Sequence, residues 1–321
     1  MDRGQVTAPV AMPLPIARLH LTVRAEGPLQ LPPYAGSMLR GAFGHALLAL
    51  SPLPHTGGQP CALHATCPYC QLFAAPPLAS HSLQRFSHMP QPYVVEPPTG
   101  GAQRLPAGQT FGFGLVLIGK ALGLLPTVLQ AWQRALRTGL GAGHTPCTLV
   151  DICDENGLQR LSGKREQLSN LNIALPPAPA LGTQATLHFH TPLRLQVQGK
   201  PVRAAQLTAR DLLIALARRS QLLSDVHLGA AAPQQDFAAL STLATAIELH
   251  PQDLRWFDWG RYSQRQQQEM QLGGLLGSVQ LRGDLAPFAE LLHQGQWLHV
   301  GKNATMGLGG YRLEAVKSSS R

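Results

Sequence analysis

The sequence predicts an α+β protein made of two tandem βαββαβ units, and three observations support this prediction. Strands with alternating apolar and polar residues occur in both halves, together with amphipathic helices. A Pro-rich stretch at residues 174–182 separates the two halves. Each half closes with a helix, a glycine-rich turn and a strand. This order is ferredoxin-like, so we expect one such domain at residues 1–175 and a second at 183–321.

The pattern in the first half of the sequence predicts the elements of one βαββαβ unit with a long insertion. A half-buried strand is predicted at residues 16–25. A helix begins at Ser37 and ends at Ser51-Pro52. Residues 51–108 are rich in Pro, Gly, Cys and His and indicate an irregular insertion in which Tyr93-Val94-Val95 is the candidate second strand. The remaining predicted elements are a strand at 111–119, a helix at 124–136 and a strand at 148–152.

The second half predicts the same order. Its best-defined element is an amphipathic helix at residues 209–223. A glycine-rich loop at residues 301–310 precedes the last strand. This loop has neither the Gly-Lys-Ser/Thr ending of a Walker loop nor the following helix of a dinucleotide-binding loop. The other predicted elements are strands at 186–197, 254–262, 275–281 and 311–316, and a short helix at 285–292.

Composition favours an anionic partner. The chain has 321 residues, of which 44% are hydrophobic and 13% charged, and its formal net charge is +9. It contains 21 Arg and only 5 Lys. The guanidinium fork suits phosphate, although a GC-rich genome would also raise the proportion of Arg. The net charge indicates a nucleic-acid or other anionic partner.

The chain is also expected to work in the cytoplasm. No apolar run is long enough to cross a membrane, and no apolar segment of a secretory signal follows Met1. Five cysteines are an odd number, which argues against a disulfide framework. A reducing compartment and no membrane partner are therefore the expectation.

Six segments carry a resemblance to a known family. The chain resembles the CRISPR-associated RAMP endoribonucleases that process precursor crRNA, the sixth Cas family. The resemblance is densest after Leu254. It is carried by residues 36–47 (GSMLRGAFGHAL), 67–73 (CPYCQLF), 254–266 (LRWFDWGRYSQRQ), 272–277 (LGGLLG), 283–288 (GDLAPF) and 298–309 (LHVGKNATMGLG).

This resemblance implies two RAMP or RRM-like ferredoxin domains and a metal-independent cleavage of RNA. The 2′-hydroxyl beside the scissile phosphate would attack it and leave 2′,3′-cyclic phosphate and 5′-hydroxyl ends. The expected partners are the CRISPR repeat hairpin, the mature crRNA and other Cas subunits. The alternative is a RAMP subunit that binds repeat RNA or coats a guide without cutting it.

Three residues are candidates for the chemistry. His45 lies in the first helix where many family members carry a histidine, and imidazole titrates closest to neutral pH. Tyr34 precedes that helix and could act as an acid or orient the substrate. Lys302, in the glycine-rich loop, could neutralise the phosphate. Each also has a structural interpretation: a helix histidine bonded within the protein, a core tyrosine and a solvated lysine.

A second group of residues predicts the RNA-binding surface. Arginine suits phosphates and can stack on bases, and the glycine-rich loop lets a backbone approach the RNA closely. A solvated helix face is the alternative for the arginines at 210–219. The candidates are Arg40, Arg203, Arg210, Arg218, Arg219, Arg261, Arg265, Gly301, Asn303, Gly307 and Gly309.

A cluster of thiol and imidazole groups lies in the insertion. Cys61, His64, Cys67 and Cys70 could bind a structural zinc ion tetrahedrally. Their close spacing lacks the long gap between ligand pairs of most zinc modules, so free cysteines are the alternative. The cleavage that the resemblance implies needs no metal, so no catalytic cofactor is expected.

Overall fold

Two antiparallel sheets with helices packed on them form the described part of the chain. The structure, a computed structural model, describes residues 14–52, 55, 61–74, 90–157, 175–229, 232, 234–263 and 268–315. Of residues 259–263 and 268–272 only the main chain is described. No helix among the described residues is long and apolar enough to cross a membrane.

The N-terminal unit has the βαββαβ order. Its main sheet has the strand order β3-β5-β1-β6, in which every neighbouring pair is antiparallel. This is the ferredoxin-like order, with a helix in each of the two crossovers. The elements are β1 (Ile16–Ala25), β2 (Leu29–Leu31), α1 (Gly36–Ala49), α2 (Pro68–Leu72), β3 (Tyr93–Glu96), β4 (Gln103–Leu105), β5 (Thr110–Ile118), α3 (Leu125–Thr138) and β6 (Cys147–Asp154).

The C-terminal unit repeats this topology. Its sheet has the order β10-β12-β7-β13, and β11 pairs with the other end of the long strand β12. A register shift between Leu275 and Gly277 separates the two parts of β12. The elements are β7 (Gln184–Leu193), β8 (Gln196–Val197), β9 (Lys200–Pro201), α4 (Ala209–Leu228), α5 (Phe237–Thr245), β10 (Glu248–Pro251), β11 (Arg255–Ser263), β12 (Gln268–Arg282), α6 (Ala289–Leu298) and β13 (Tyr311–Ala315).

Each unit has its own apolar core, and a third cluster joins the two units. In the first core, the ring of Phe43 on α1 stacks on Trp132 of α3, with ring centroids 5.0 Å apart. In the third cluster, Val116 and Ile118 of the N-terminal unit pack with Leu223 and Trp297 of the C-terminal unit. The two units therefore meet through buried apolar side chains, which fixes their relative position.

The structure confirms the predicted fold class and refines several elements. Tyr93, Val94 and Val95 do form the second strand of the first unit, at β3. The predicted irregular insertion at 51–108 contains regular structure, namely α2, β3 and β4. In the second unit, α5 and β10 were not predicted because their short segments carry little periodicity.

Candidate functional site

The glycine loop, residues 301–310, turns the chain from α6 into β13. Its backbone conformation requires glycine at three positions, and at Gly301 (φ +93°) a Cβ would lie 2.5 Å from the carbonyl oxygen of Arg194. A Cβ on Gly309 (φ +70°) would lie 1.8 Å from the carbonyl oxygen of Val300, and one on Gly307 (φ +87°) would lie 2.5 Å from that of Val95. These glycines therefore allow one backbone to touch another, and the contact at Gly307 crosses between the two units.

Several backbone amides of the glycine loop bind protein atoms and are therefore not free to hold a phosphate. The Lys302 amide donates to the carbonyl of Arg194 at 2.8 Å, and the Gly309 amide donates to that of Pro192 at 3.0 Å. The Gly310 amide donates to the side-chain hydroxyl of Thr191 at 2.7 Å. These bonds fix the shape of the loop. At Lys302, the group left exposed for an anion is the side chain.

Tyr34 connects the glycine loop to the N-terminal unit. Its hydroxyl donates a hydrogen bond to the carbonyl of Met306 at 2.7 Å, and its ring packs with Met306 and Leu308. Burial raises the pKa of Tyr34 well above its ordinary value, so the hydroxyl stays protonated. Gly36 begins α1 against the same carbonyl, with no room for a Cβ. The structure thus gives Tyr34 a positioning contact.

A buried ionic network supports the loop from below. Glu96, at the end of β3, accepts from Arg18 at 3.0 Å and from Nε2 of His299 at 3.1 Å. Burial alone would raise the pKa of Glu96. The hydrogen bond from His299 and the charge of Arg18 outweigh burial and lower that pKa to about 2. The carboxylate is therefore ionised across the physiological range.

His299 connects this network to the backbone of the glycine loop. Its Nδ1 lies 3.1 Å from the carbonyl oxygen of Gly307 and 3.2 Å from that of Leu308. Both ring nitrogens thus face oxygen acceptors. The side chain is fully buried. Glu96 therefore has two hydrogen-bonding partners, Arg18 and His299.

The structure places the three predicted catalytic residues in different settings. His45 is exposed on α1, nine residues and about 13 Å along the helix axis from Gly36, where the loop touches the helix. Lys302 is exposed on the loop. Tyr34 is buried between the loop and α1. The glycine loop therefore contacts the start of α1, whereas His45 lies more than two turns further along that helix.

Two of the predicted RNA-binding arginines are used within the protein. Arg40 lies over the Phe73 ring at 4.2 Å and donates to Gln91 at 3.0 Å. Arg219 donates to the carbonyl of Leu298, the last residue of α6, at 2.6 Å. Burial lowers the pKa of Arg219 to about 10. A cation at a helix C-terminus is a stabilising contact, so Arg219 links α4 to α6.

The other predicted arginines differ in exposure and contacts. Arg218 is exposed on α4. Arg210, also exposed, donates to the hydroxyl of Ser241 at 2.8 Å. Arg203 is exposed and lies over the Trp256 ring at 3.6 Å, a cation–π pair on the surface of the second unit. The side chain of Arg261 and all of Arg265 lie outside the described residues.

The thiol cluster of the insertion uses a different histidine from the predicted one. The ligand atoms of His55, Cys61, Cys67 and Cys70 all lie within 4.8 Å of one another. His64 is exposed and does not belong to this set. His64, the histidine of the predicted ligand set, therefore lies outside this cluster, and His55 takes its place in it. Three cysteines and one histidine could hold a metal ion here.

Sequence reasoning missed three residues around the loop. Glu96 and His299 are 203 positions apart, and no local pattern connects them. His190, exposed at the end of β7, has its ring centroid 6.4 Å from that of His299. His299, two residues before the glycine loop, was the one available signal. Glu96 and His190 can be recognised only when the packing of the two units is known.

Comparison with known proteins agrees with this architecture. Residues 187–311 match the family model of the CRISPR-associated endoribonuclease Cas6. The C-terminal part of the chain is therefore similar to the Cas6 endoribonucleases. Residues 14–172 match a second family model, described as an N-terminal domain. No curated protein matches the chain significantly.

Solved structures share the fold of this chain at low sequence identity. A Cas6 product complex has a TM-score of 0.58 and 18% identity, with 93% of this chain and 99% of that one covered. Thermus thermophilus Cas6 has a TM-score of 0.52 and 16% identity, with 94% and 98% covered. A partial Cas6-RT-Cas1–Cas2 complex has a TM-score of 0.58 and 15% identity. That match covers 96% of this chain and 47% of the other chain.

The Glu96 network predicts a loss of stability in acid. The carboxyl has an ordinary pKa of 4.5 and a folded pKa of about 2. Its contribution is complete above pH 4.5 and is lost as the pH falls from 4.5 to 2. This difference corresponds to about 3 kcal/mol of unfolding free energy.

Glu96→Gln should therefore be less stable than wild type at pH 6, with the gap narrowing towards pH 2. Chemical denaturation at a series of pH values measures this difference. Glu248→Gln, at an exposed position, is the matched control and should follow the wild-type curve. A pH-independent difference between Glu96→Gln and wild type would contradict the assigned titration.

Proposed function

We propose that this chain binds a hairpin CRISPR repeat and cleaves the precursor crRNA beside it. The observation that carries the proposal is the match of residues 187–311 to the Cas6 endoribonuclease family. The fold is shared with a Cas6 product complex. The net charge of +9 supports a polyanionic ligand. We place this activity in the cytoplasm.

The proposed reaction is an internal transfer on the RNA. The 2′-oxygen forms a bond to the adjacent phosphorus and the bond to the 5′-oxygen breaks. A base takes the 2′-hydroxyl proton and an acid gives one to the 5′-oxygen. The products are a 2′,3′-cyclic phosphate and a 5′-hydroxyl. No metal ion takes part, so an ion held by the thiol cluster would be structural.

His45 is our candidate for moving a proton in this reaction. Its exposed position on α1 leaves the imidazole accessible to RNA. Lys302 would meet the negative charge that develops on the phosphate, because its ammonium group is exposed on a fixed loop. Tyr34 would act through the loop by holding the carbonyl of Met306. The substrate would be held in line between α1 and the loop.

The RNA stem would lie on exposed arginines of the C-terminal unit. Arg210 and Arg218 are available on α4, and Arg203 offers a guanidinium already stacked on Trp256. These groups recognise phosphates and shape more than sequence. Arg40 and Arg219 would contribute through packing, while Arg261 and Arg265 remain candidates at the β11–β12 end. The backbone at Gly301, Asn303, Gly307 and Gly309 would let the RNA approach the loop closely.

The proposed partners include other Cas subunits. A chain of similar fold belongs to a Cas6-RT-Cas1–Cas2 complex. We propose that the cleaved crRNA stays bound and is passed to an effector or adaptation complex of this kind. A subunit that binds repeat RNA without cutting it is the alternative. The exposed His45 on α1 favours cleavage, since RNA coating needs no proton carrier.

Cleavage of the repeat RNA should proceed in EDTA, because the RNA supplies its own nucleophile. A 2′-deoxy substitution at the scissile nucleotide should block cleavage and leave binding intact. Gel analysis of end groups, together with a filter-binding assay, measures both effects. The melting temperature in EDTA is the control, since chelation of a structural ion would change the fold. A strict requirement for Mg²⁺, in protein that stays folded, would exclude the mechanism.

His45→Ala should lower the single-turnover cleavage rate by roughly 10²- to 10⁴-fold, the usual effect of losing a positioned acid or base. Binding of the hairpin should change by only a few-fold, because arginines dominate the interface. His20→Ala, at an exposed position on β1, is the matched control and should cleave normally. A His45→Ala variant with the wild-type rate and melting temperature would remove His45 from the chemistry.

Arg218→Ala should weaken binding and reduce the slope of log affinity against log salt by about one unit or less. For each phosphate contact that is lost, one counterion fewer is released from the RNA on binding. Arg134→Ala, on an exposed face of α3 in the other unit, should leave affinity and slope unchanged. Arg219→Ala should instead lower the melting temperature, because it breaks the contact with α6. Equal slopes for all three variants would assign Arg218 to a merely solvated face.

A further inference from the structure

We propose that His55, Cys61, Cys67 and Cys70 bind one zinc ion that fixes the insertion on α1. The ligand atoms of all four residues lie within 4.8 Å of one another. Nε2 of His55 is 3.3 Å from Sγ of Cys70 and 3.6 Å from Sγ of Cys67. The imidazole nitrogen therefore faces two thiols at once. This convergence places the metal site in the insertion, away from the RNA chemistry.

These separations fit a tetrahedral zinc site. Zinc binds thiolate sulfur at about 2.3 Å and imidazole nitrogen at about 2.0 to 2.1 Å. A tetrahedron with those bonds has nitrogen–sulfur edges of about 3.6 Å and sulfur–sulfur edges of about 3.8 Å. The two distances from His55 are close to this edge. The ion would need only small adjustments of the side chains to complete its shell.

The donor set selects zinc and gives it a structural role. Three soft thiolates and one imidazole suit zinc, whereas Mg²⁺ and Ca²⁺ prefer oxygen ligands. Four protein ligands leave no open position for water or substrate, as in structural zinc sites. Cys67 and Cys70 are buried, and Cys67 contacts the hydroxyl of Ser51 at 3.0 Å. That hydroxyl could donate a hydrogen bond to the thiolate and hold it in position.

The choice of His55 gives the site its structural effect. Cys61, Cys67 and Cys70 lie within ten residues of one another, so a set completed by His64 would fix only a local turn. His55 extends the cross-linked segment back towards Ser51 and the end of α1. The Tyr69 ring stacks edge-on against His55, with centroids 4.8 Å apart. The ion would thus join the exit of α1 to α2.

The C-terminal end of α2 connects the proposed zinc site to the candidate active site. Phe73 follows α2, and its ring occupies the space beside Gly44, where a Cβ would lie 2.4 Å from a ring carbon. Gly44 is the neighbour of His45. Arg40 lies over the same ring at 4.2 Å. Zinc binding would therefore hold Phe73 as the support for the helix surface that presents His45.

The test compares the two histidines of this segment. The full chain is purified without a histidine tag, and its metal content is measured by mass spectrometry. Wild type and His64→Ala should each hold close to one zinc ion per chain. His55→Ala and Cys67→Ser should lose it, while Cys153→Ser, which changes a thiol outside the cluster, should keep it. Retention in His55→Ala, or loss in His64→Ala, would overturn the ligand set.

A second measurement remains informative if the ligand variants fail to fold. Wild-type protein is stripped of metal and titrated with Co²⁺, which takes the place of zinc and is visible in absorption. Tetrahedral d–d bands and a thiolate charge-transfer band should appear at one equivalent, and the melting temperature should rise on metal binding. Wild type with no zinc, no such bands and three freely reactive thiols would refute the site. None of these readouts depends on RNA cleavage.

Discussion

The contact between the glycine loop and the N-terminal unit is the constraint on which the rest of the site depends. Tyr34 holds the carbonyl of Met306, and Gly307 lets the loop backbone approach Val95. Because the loop comes from one unit and α1 from the other, this contact fixes the loop against the start of α1. The apolar cluster at Val116 and Leu223 supplies the area that keeps the units together.

The ionic network under the loop explains how a buried charge is accommodated there. Glu96 would be costly to bury alone, but Arg18 and His299 both donate to it. His299 also contacts loop carbonyls, so the charge is connected to the backbone that carries Lys302. The network therefore holds the loop backbone in position as well as stabilising the fold. A site that must hold a phosphate in line benefits from such a rigid support.

The insertion performs a similar role on the other side of α1. Tyr69 and Phe73 form an aromatic row that ends on Tyr93 of β3, and Arg40 covers Phe73. The helix with His45 is thus supported by the core beneath it and by the insertion beside it. Its N-terminus meets the loop and its exit leads to the thiol cluster. The start of α1 is therefore fixed by a segment that is distant in sequence, whereas its end leads directly into the insertion.

Local sequence patterns were sufficient to predict the repeated unit. Strands β1 and β7 alternate apolar and polar residues, and helices α3 and α4 are amphipathic, because each element buries one face. This pattern is visible in residues that are close together in the sequence. The glycines of residues 301–310 were visible for the same reason, since a tight backbone excludes side chains. The short elements α5 and β10 were not predictable, because fewer than three turns or five residues carry too little periodicity.

The sequence by itself determined the βαββαβ order, the glycine loop and the set of residue types available for chemistry. Only the tertiary structure decided which of them meet. It selected His55 over His64, turned Arg219 towards α6 and joined Glu96 to His299. The physical reason is that periodicity records whether a position is buried, whereas the partner of a buried polar group is set by the packing of the two units. A partner far along the chain leaves no local trace in one sequence.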